Sequence, residues 1–167
     1  MKLVNKIEKL FFFFIIKLFG KISPAKVTEW SYLFYKKHGM NFEKGKPNYI
    51  ASTVYFDGGD YSRISIGAGV TISSHVSFLT HDWALNTVIR SMDITLDYTL
   101  GRHLPIIIHD NVFIGRSSII MPGATIGEGS IIGAGSVVRG NIPPFSVVVG
   151  NPGIIVKDSR EYVKKYL

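Results

Sequence analysis

The 167-residue chain has no cysteine, which excludes a disulfide framework, a thiolate nucleophile and a cysteine-based zinc site. Long apolar runs are missing too. The uninterrupted stretch from Leu10 to Ile16 is far shorter than the roughly 20 residues needed to span a bilayer. No glycine-rich segment is followed by Lys-Ser or Lys-Thr, and Gly-x-Ser-x-Gly does not occur, so nucleotide-hydrolysing and serine-nucleophile chemistry lack their motifs. Acidic residues are scarce at the start: residues 1–46 hold ten Lys against three Glu, whereas residues 47–167 balance nine cations with nine anions. The net charge of +7 therefore sits in the first quarter, and the neutral body lacks the basic surface of a nucleic-acid reader.

What is present at the start is an amphipathic pattern. From Lys2 to Phe19, Val4, Ile7, Phe11, Phe14 and Leu18 recur at steps of three and four, with Lys2, Asn5, Lys6, Glu8 and Lys9 elsewhere on the turn. The spacing predicts a helix stopped near Gly20 and a second helix over Val27 to Lys37. Lys17 breaks the apolar stretch, Glu8 lies in the leader and no small-x-small site follows, which argues against a signal peptide. Two roles suit the first helix: packing on the body or a neighbouring subunit, or lying on an anionic lipid surface. The expected location is cytoplasmic, peripheral to the inner face of the membrane if the second role holds.

The body is a repeat. An aliphatic or aromatic residue returns every six positions at Ile66, Ile72, Phe78, Ile108, Ile114, Ile120, Ile126, Ile132 and Val138. Four places later in these hexads stand Val70, Val76, Val112, Ser118, Ala124, Ser130, Ser136 and Ile142, and both positions are expected to face inward. Gly67, Gly115, Gly127 and Gly133 follow a leading aliphatic, where a corner would favour a residue free of Cβ strain. A period of six reads as a short strand plus a corner, with three hexads per coil and coils stacked about 4.8 Å apart. The expected division is an N-terminal helical segment over 1–46, a solenoid over 47–157 and a short helix or tail over 158–167.

The stretch IHDNVFIGRSSIIMPGATIGEGSIIGAGSVVRGNIPPFSVVVGNPGIIVK from Ile108 to Lys157, with Thr80-His81-Asp82-Trp83 before it, resembles the bacterial hexapeptide-repeat acyltransferases, galactoside, maltose and capsule-type O-acetyltransferases among them. The resemblance covers roughly residues 38–158. It implies an all-β solenoid, a left-handed parallel β-helix, with three subunits associating around active sites between them. It also implies acetyl-CoA as acyl donor, a sugar or glycan acceptor such as a cell-surface polysaccharide precursor, and a catalytic histidine at His81.

The residues support that reading on their own terms. The period breaks after Phe78-Leu79-Thr80-His81-Asp82-Trp83 and resumes near Ile106, so Ala84 to Pro105 form a projecting insertion just beyond an outward His81. Acetyl transfer to a hydroxyl needs a base near neutral pH, and imidazole suits it. Asp82 is a candidate to orient that imidazole or bind the acceptor; Trp83 and Asn86 are candidate acceptor contacts. Backbone N–H groups near Gly115 or Arg116 are candidates to stabilise the tetrahedral oxyanion. By resemblance the pantetheine arm would run along Gly133, Ala134 and Ser136, and Lys157 would meet the phosphates.

This sequence departs from the family pattern in places: Phe113 stands where a Trp is frequent, Arg139-Gly140 replaces Thr-Lys, and Ile154 replaces a cation. Arg116 and Arg139 are placed to compensate in charge. No metal is expected: His75 and His81 should occupy different corners, and His103 and His109 lack the three-His spacing of the zinc carbonic anhydrases of this fold. Two alternatives remain open, N-acetylation of an amino sugar and an inactive β-helix scaffold.

Overall fold

The computed structural model describes residues 2–19, 23–42, 44–57 and 60–167, with the backbone alone for residues 2–6. The expected helix stop at Gly20 lies outside the described residues, as do the side chains of Lys2, Val4, Asn5 and Lys6.

Two helices open the chain, α1 (Lys2–Phe19) and α2 (Pro24–Lys37). Proline at the first turn of α2 costs nothing, because its missing N–H would have had no helical acceptor. Phe12 stacks on Phe34 with ring centroids 3.8 Å apart, and the Lys37 ammonium donates to Glu8 at 2.6 Å, holding that carboxyl below its ordinary pKa. On its other side α2 meets the body. Tyr35 packs edge-on against Phe56 and Tyr61, and the Ile50 N–H donates to Thr28 Oγ1 at 3.1 Å. Burial pushes the Tyr35 phenol far above its usual pKa, so it packs as a neutral ring.

The body winds through three parallel sheets in rotation. The first contains β1 (Tyr49–Ile50), β4 (Thr71–Ile72), β9 (Phe113–Ile114), β12 (Ile131–Ile132) and β15 (Ser146–Val149), with β16 (Ile154–Asp158) added antiparallel at its edge. The second contains β2 (Tyr55–Phe56), β5 (Ser77–Phe78), β10 (Ile119–Ile120) and β13 (Val137–Val138). The third contains β3 (Ile64–Ile66), β8 (Ile106–Ile108), β11 (Thr125–Ile126) and β14 (Asn141–Ile142). Each strand pairs with the strand one coil on, as Ile114 with Ile132 and Ile120 with Val138. The hexad aliphatics thus stack into columns that are at most 2% exposed, and each such side chain contributes about 1.5–3 kcal/mol of burial.

The positions four residues on are buried as well, with one change of role. Ile142 does not serve as a filler after Val138; it closes β14 and stacks on Ile126, so the coil shortens before Pro143. Two of the serines at these inward positions bond to the next coil. Ser118 Oγ donates to Gly133 O, and Ser130 Oγ to Pro143 O.

The corner glycines have a different cause from the one expected. Left-handed backbone falls three places after the leading aliphatic, at Gly69, His75, Asn111, Ser117, Gly123, Gly129 and Gly135, and not at Gly67, Gly115, Gly127 or Gly133. Those four are required by space. A Cβ on Gly115 would sit 2.5 Å from Ala134 N, and one on Gly127 would sit 2.4 Å from Pro144 N, both backbone atoms of the next coil. Close stacking, not torsional freedom, selects glycine there.

The insertion leaves the coil earlier than the period suggested. His81–Asp82 (β6) already pair antiparallel with Arg102–His103 (β7), and between them lies α3 (Ala84–Ser91), none of whose residues is buried. The chain ends in α4 (Ser159–Val163). Among the described residues no helix is long and apolar enough to cross a membrane.

Candidate active site

His81 stands three places after Phe78, the position that is left-handed in neighbouring hexads, but here the chain is extended as it departs into the ribbon. The side chain therefore points outward at the corner between the second and third sheets. One coil away, Tyr55–Phe56 pair with Ser77–Phe78, and the next residue, Asp57, is stacked beside the departing chain.

Asp57 is 4% exposed, and its Oδ2 accepts from the Thr80 N–H at 3.1 Å and from His81 Nδ1 at 2.5 Å. A carboxylate only accepts hydrogen bonds, so it fixes the imidazole proton on Nδ1 and leaves the Nε2 lone pair for chemistry. The His81 side chain, about one third exposed, lines an open cleft of about 600 Å³ with Tyr55, Trp83, Met121 and Arg139. This is the arrangement of a general base with an orienting anion behind it.

Orientation of the imidazole, expected from Asp82, comes from Asp57. The Asp82 carboxylate accepts from the Ala84 N–H at 2.8 Å, where it caps the turn into α3, although the residue also borders the cleft. Asp57 escaped the hexad reading because coil partners there are 22 residues apart, Phe56 with Phe78, against 18 for Ile108 with Ile126. The extra residues precede Ile64, and they displaced Tyr55-Phe56-Asp57 from the six-residue register. An aromatic pair followed by an acid upstream of the first clean hexad was the only available signal.

Trp83 sits beside His81, its ring 5.8 Å from the imidazole and edge-on to His103 at 5.4 Å. The returning arm crosses it at Gly101, where a Cβ would lie 2.3 Å from the indole. Asn86 is not in this cleft; it lines a separate cavity of about 410 Å³ inside the arm, with Arg90, Asp97 and Tyr98.

The residues expected along the cofactor divide. Arg139 lies in the His81 cleft, two coils along the same corner. Gly115, Arg116, Gly133 and Ala134 occupy the corner between the first and second sheets, Phe113 is exposed on the first sheet beside it, and Lys157 is on the edge strand β16. Within one chain this group and His81 are therefore on different corners.

Two detailed expectations change. The Gly115 N–H is committed to Ile132 O at 2.8 Å, so it cannot also serve an oxyanion, and of that pair only Arg116 remains a candidate. Ser136 is fully buried, its hydroxyl donates to Gly133 O while accepting from the Gly150 N–H, and its own N–H and C=O are bonded to Gly133 O and the Ile119 N–H, so it presents no free group to a ligand. His75, His81 and His109 fall on three different corners.

Comparison with known proteins agrees with this architecture. The family described as bacterial transferase hexapeptide (six repeats) matches residues 105–140. Galactoside O-acetyltransferase of Escherichia coli is 32% identical over 132 residues, 79% of this chain and 61% of the relative. Among solved structures, AntD, an N-acyltransferase from Bacillus cereus in complex with dTDP and coenzyme A, superposes with a TM-score of 0.55 at 27% identity, covering 70% of this chain and 62% of that one. A maltose O-acetyltransferase from Clostridium difficile shares the fold, with a TM-score of 0.58 at 24% identity over 93% of this chain and 88% of its own. The chain spans about half to three fifths of the length of the curated relatives it matches.

Proposed function

Because this chain carries the hexapeptide repeat of the bacterial transferases and is similar to galactoside O-acetyltransferase, we propose that it moves an acetyl group from acetyl-CoA to a sugar hydroxyl. The observation that carries the reading is the Asp57–His81 pair on the wall of an open cleft. His81 Nε2 takes the acceptor proton as the hydroxyl oxygen attacks the thioester carbonyl; the tetrahedral intermediate collapses with loss of the CoA thiolate, which regains that proton. No covalent enzyme intermediate is involved. Trp83 supplies an apolar face for the sugar ring.

The coil in this reading winds left-handed and three copies assemble. Separation of His81 from the Gly115–Ala134 corner favours assembly, since one chain presents the base at one corner and the expected CoA groove at another. A second copy can bring the two together. Lys157 and Arg116 would meet the CoA phosphates, the groups a basic side chain recognises. The acceptor is a glycan precursor of the cell surface.

The test is mass spectrometry of sugars and glycan precursors incubated with acetyl-CoA. A gain of one acetyl group on acceptors bearing hydroxyls alone is expected. Acetylation confined to amino sugars would favour N-acetyl transfer, the second reading that likeness to AntD supports. Absence of both transfer and thermal stabilisation by acetyl-CoA would return the chain to a scaffold role.

Asp57→Asn should lower kcat by about tenfold or more while leaving the KM for acetyl-CoA unchanged, because the amide still accepts from the Thr80 N–H but no longer favours the imidazolium formed during transfer. Steady-state kinetics beside a melting curve checks this. A fall in melting temperature with unchanged kcat would reduce Asp57 to a packing residue.

A further inference from the structure

Helix α1 is apolar on two sides, and the fold covers one of them. Phe12, Ile16 and Phe19 face α2 and the body: Ile16 is buried, Phe12 stacks on Phe34, and Phe19 meets Trp30 edge-on at 5.9 Å. On the far side Ile7, Leu10, Phe11, Phe14 and Leu18 fall within an arc of about 100° and are all exposed, and Leu33 of α2 extends the surface past the Phe11 edge. Lys17 borders this arc and is exposed. A helix apolar on both sides is stable only if both are covered.

We propose that the covering partner is an anionic lipid surface, on which α1 lies flat with its outer aromatic row in the headgroup boundary. Charge decides between lipid and a second copy. Residues 2–37 carry eight lysines and two glutamates, and the glutamates are engaged, Glu8 by Lys37 and Glu29 by Lys46. Pairing this face with an identical one would set lysines against lysines, whereas an anionic bilayer attracts each of them. With 18 residues, several of them charged, α1 is about 27 Å long and does not qualify as a span, so it rests in the interfacial plane. An enzyme held there would work on acceptors at the membrane surface, an extension that depends on the acetyl-transfer reading; lipid binding itself does not.

The experiment is flotation of the full-length protein with phosphatidylcholine vesicles, with and without phosphatidylglycerol, at low and high salt. Binding is expected only with phosphatidylglycerol and should weaken by about tenfold or more with salt or in Lys17→Glu. The double variant Phe11→Gln/Phe14→Gln should not float, with unchanged melting temperature, unchanged mass by light scattering and unchanged transfer to a soluble acceptor. If the native chain ignores anionic vesicles, or the double variant still floats, the proposal is wrong. If the double variant instead loses its oligomeric mass, the outer face belongs to a second copy. Neither result depends on acetyl transfer, so failure here leaves the catalytic reading standing.

Discussion

His81→Ala is expected to lower turnover by about 100-fold or more, the usual contribution of a general base, with the fold and assembly retained. Retention follows from how the residue is held: its backbone makes the ribbon pairing with His103, while its side chain is about one third exposed at the cleft and supports no core contact. The loss is not free, because the buried Asp57 carboxylate keeps the Thr80 N–H but loses its imidazole partner, at a cost of about 1–3 kcal/mol. His81→Gln, which can still donate to Asp57, separates the two effects. It should recover much of that stability and none of the turnover. Kinetics with acetyl-CoA and an acceptor sugar, beside melting curves of both variants, checks this; a near-native rate in either variant would remove His81 from the mechanism.

Ile126→Asp should prevent folding. Ile126 is fully buried, stacked between Ile108 and Ile142 in the third sheet, and no cation or hydrogen-bond donor belongs to that column. An ionised carboxylate there has no partner, and a protonated one still loses its hydrogen bonds to water, so the penalty of several kcal/mol consumes most of an ordinary domain's stability. Ile126→Val, which removes one methylene, should cost only about 1 kcal/mol and fold normally. Expression, solubility and circular dichroism of the two variants test the register. A soluble Ile126→Asp protein that melts normally would mean the inward column has been misassigned.

The six-residue period made the solenoid legible because every third hexad must stack on the same sheet, and a side chain that recurs at that interval has nowhere to go but the column. Ser118, Ser130 and Ser136 were legible as inward for the same reason, although their hydroxyl acceptors were not. Ile142 was placed inward correctly and given the wrong role, since a coil shortened by two residues keeps the burial and shifts the register. The glycines were read through torsion when the cause is the approach of the next coil. A single hexad cannot reveal that approach, because the clashing atoms at Gly115 and Gly127 belong to chain 16 to 19 residues later.

Sequence alone determined the strand and corner repeat, the inward columns, the departure of an arm near His81, the two leading helices and the concentration of charge at the start. All of these are local or periodic, written in spacing along the chain. Tertiary structure decided that Asp57, not Asp82, holds the imidazole, that Arg139 shares the cleft of His81 while Asn86 does not, that the Gly115 N–H is already spent, and that α1 buries one apolar face and leaves the other open. Each of these depends on which residues the winding sets side by side. A coil of 22 residues, its extra residues lying before Ile64, and an arm that leaves at His81 moved those neighbours out of the register that the repeat alone would give.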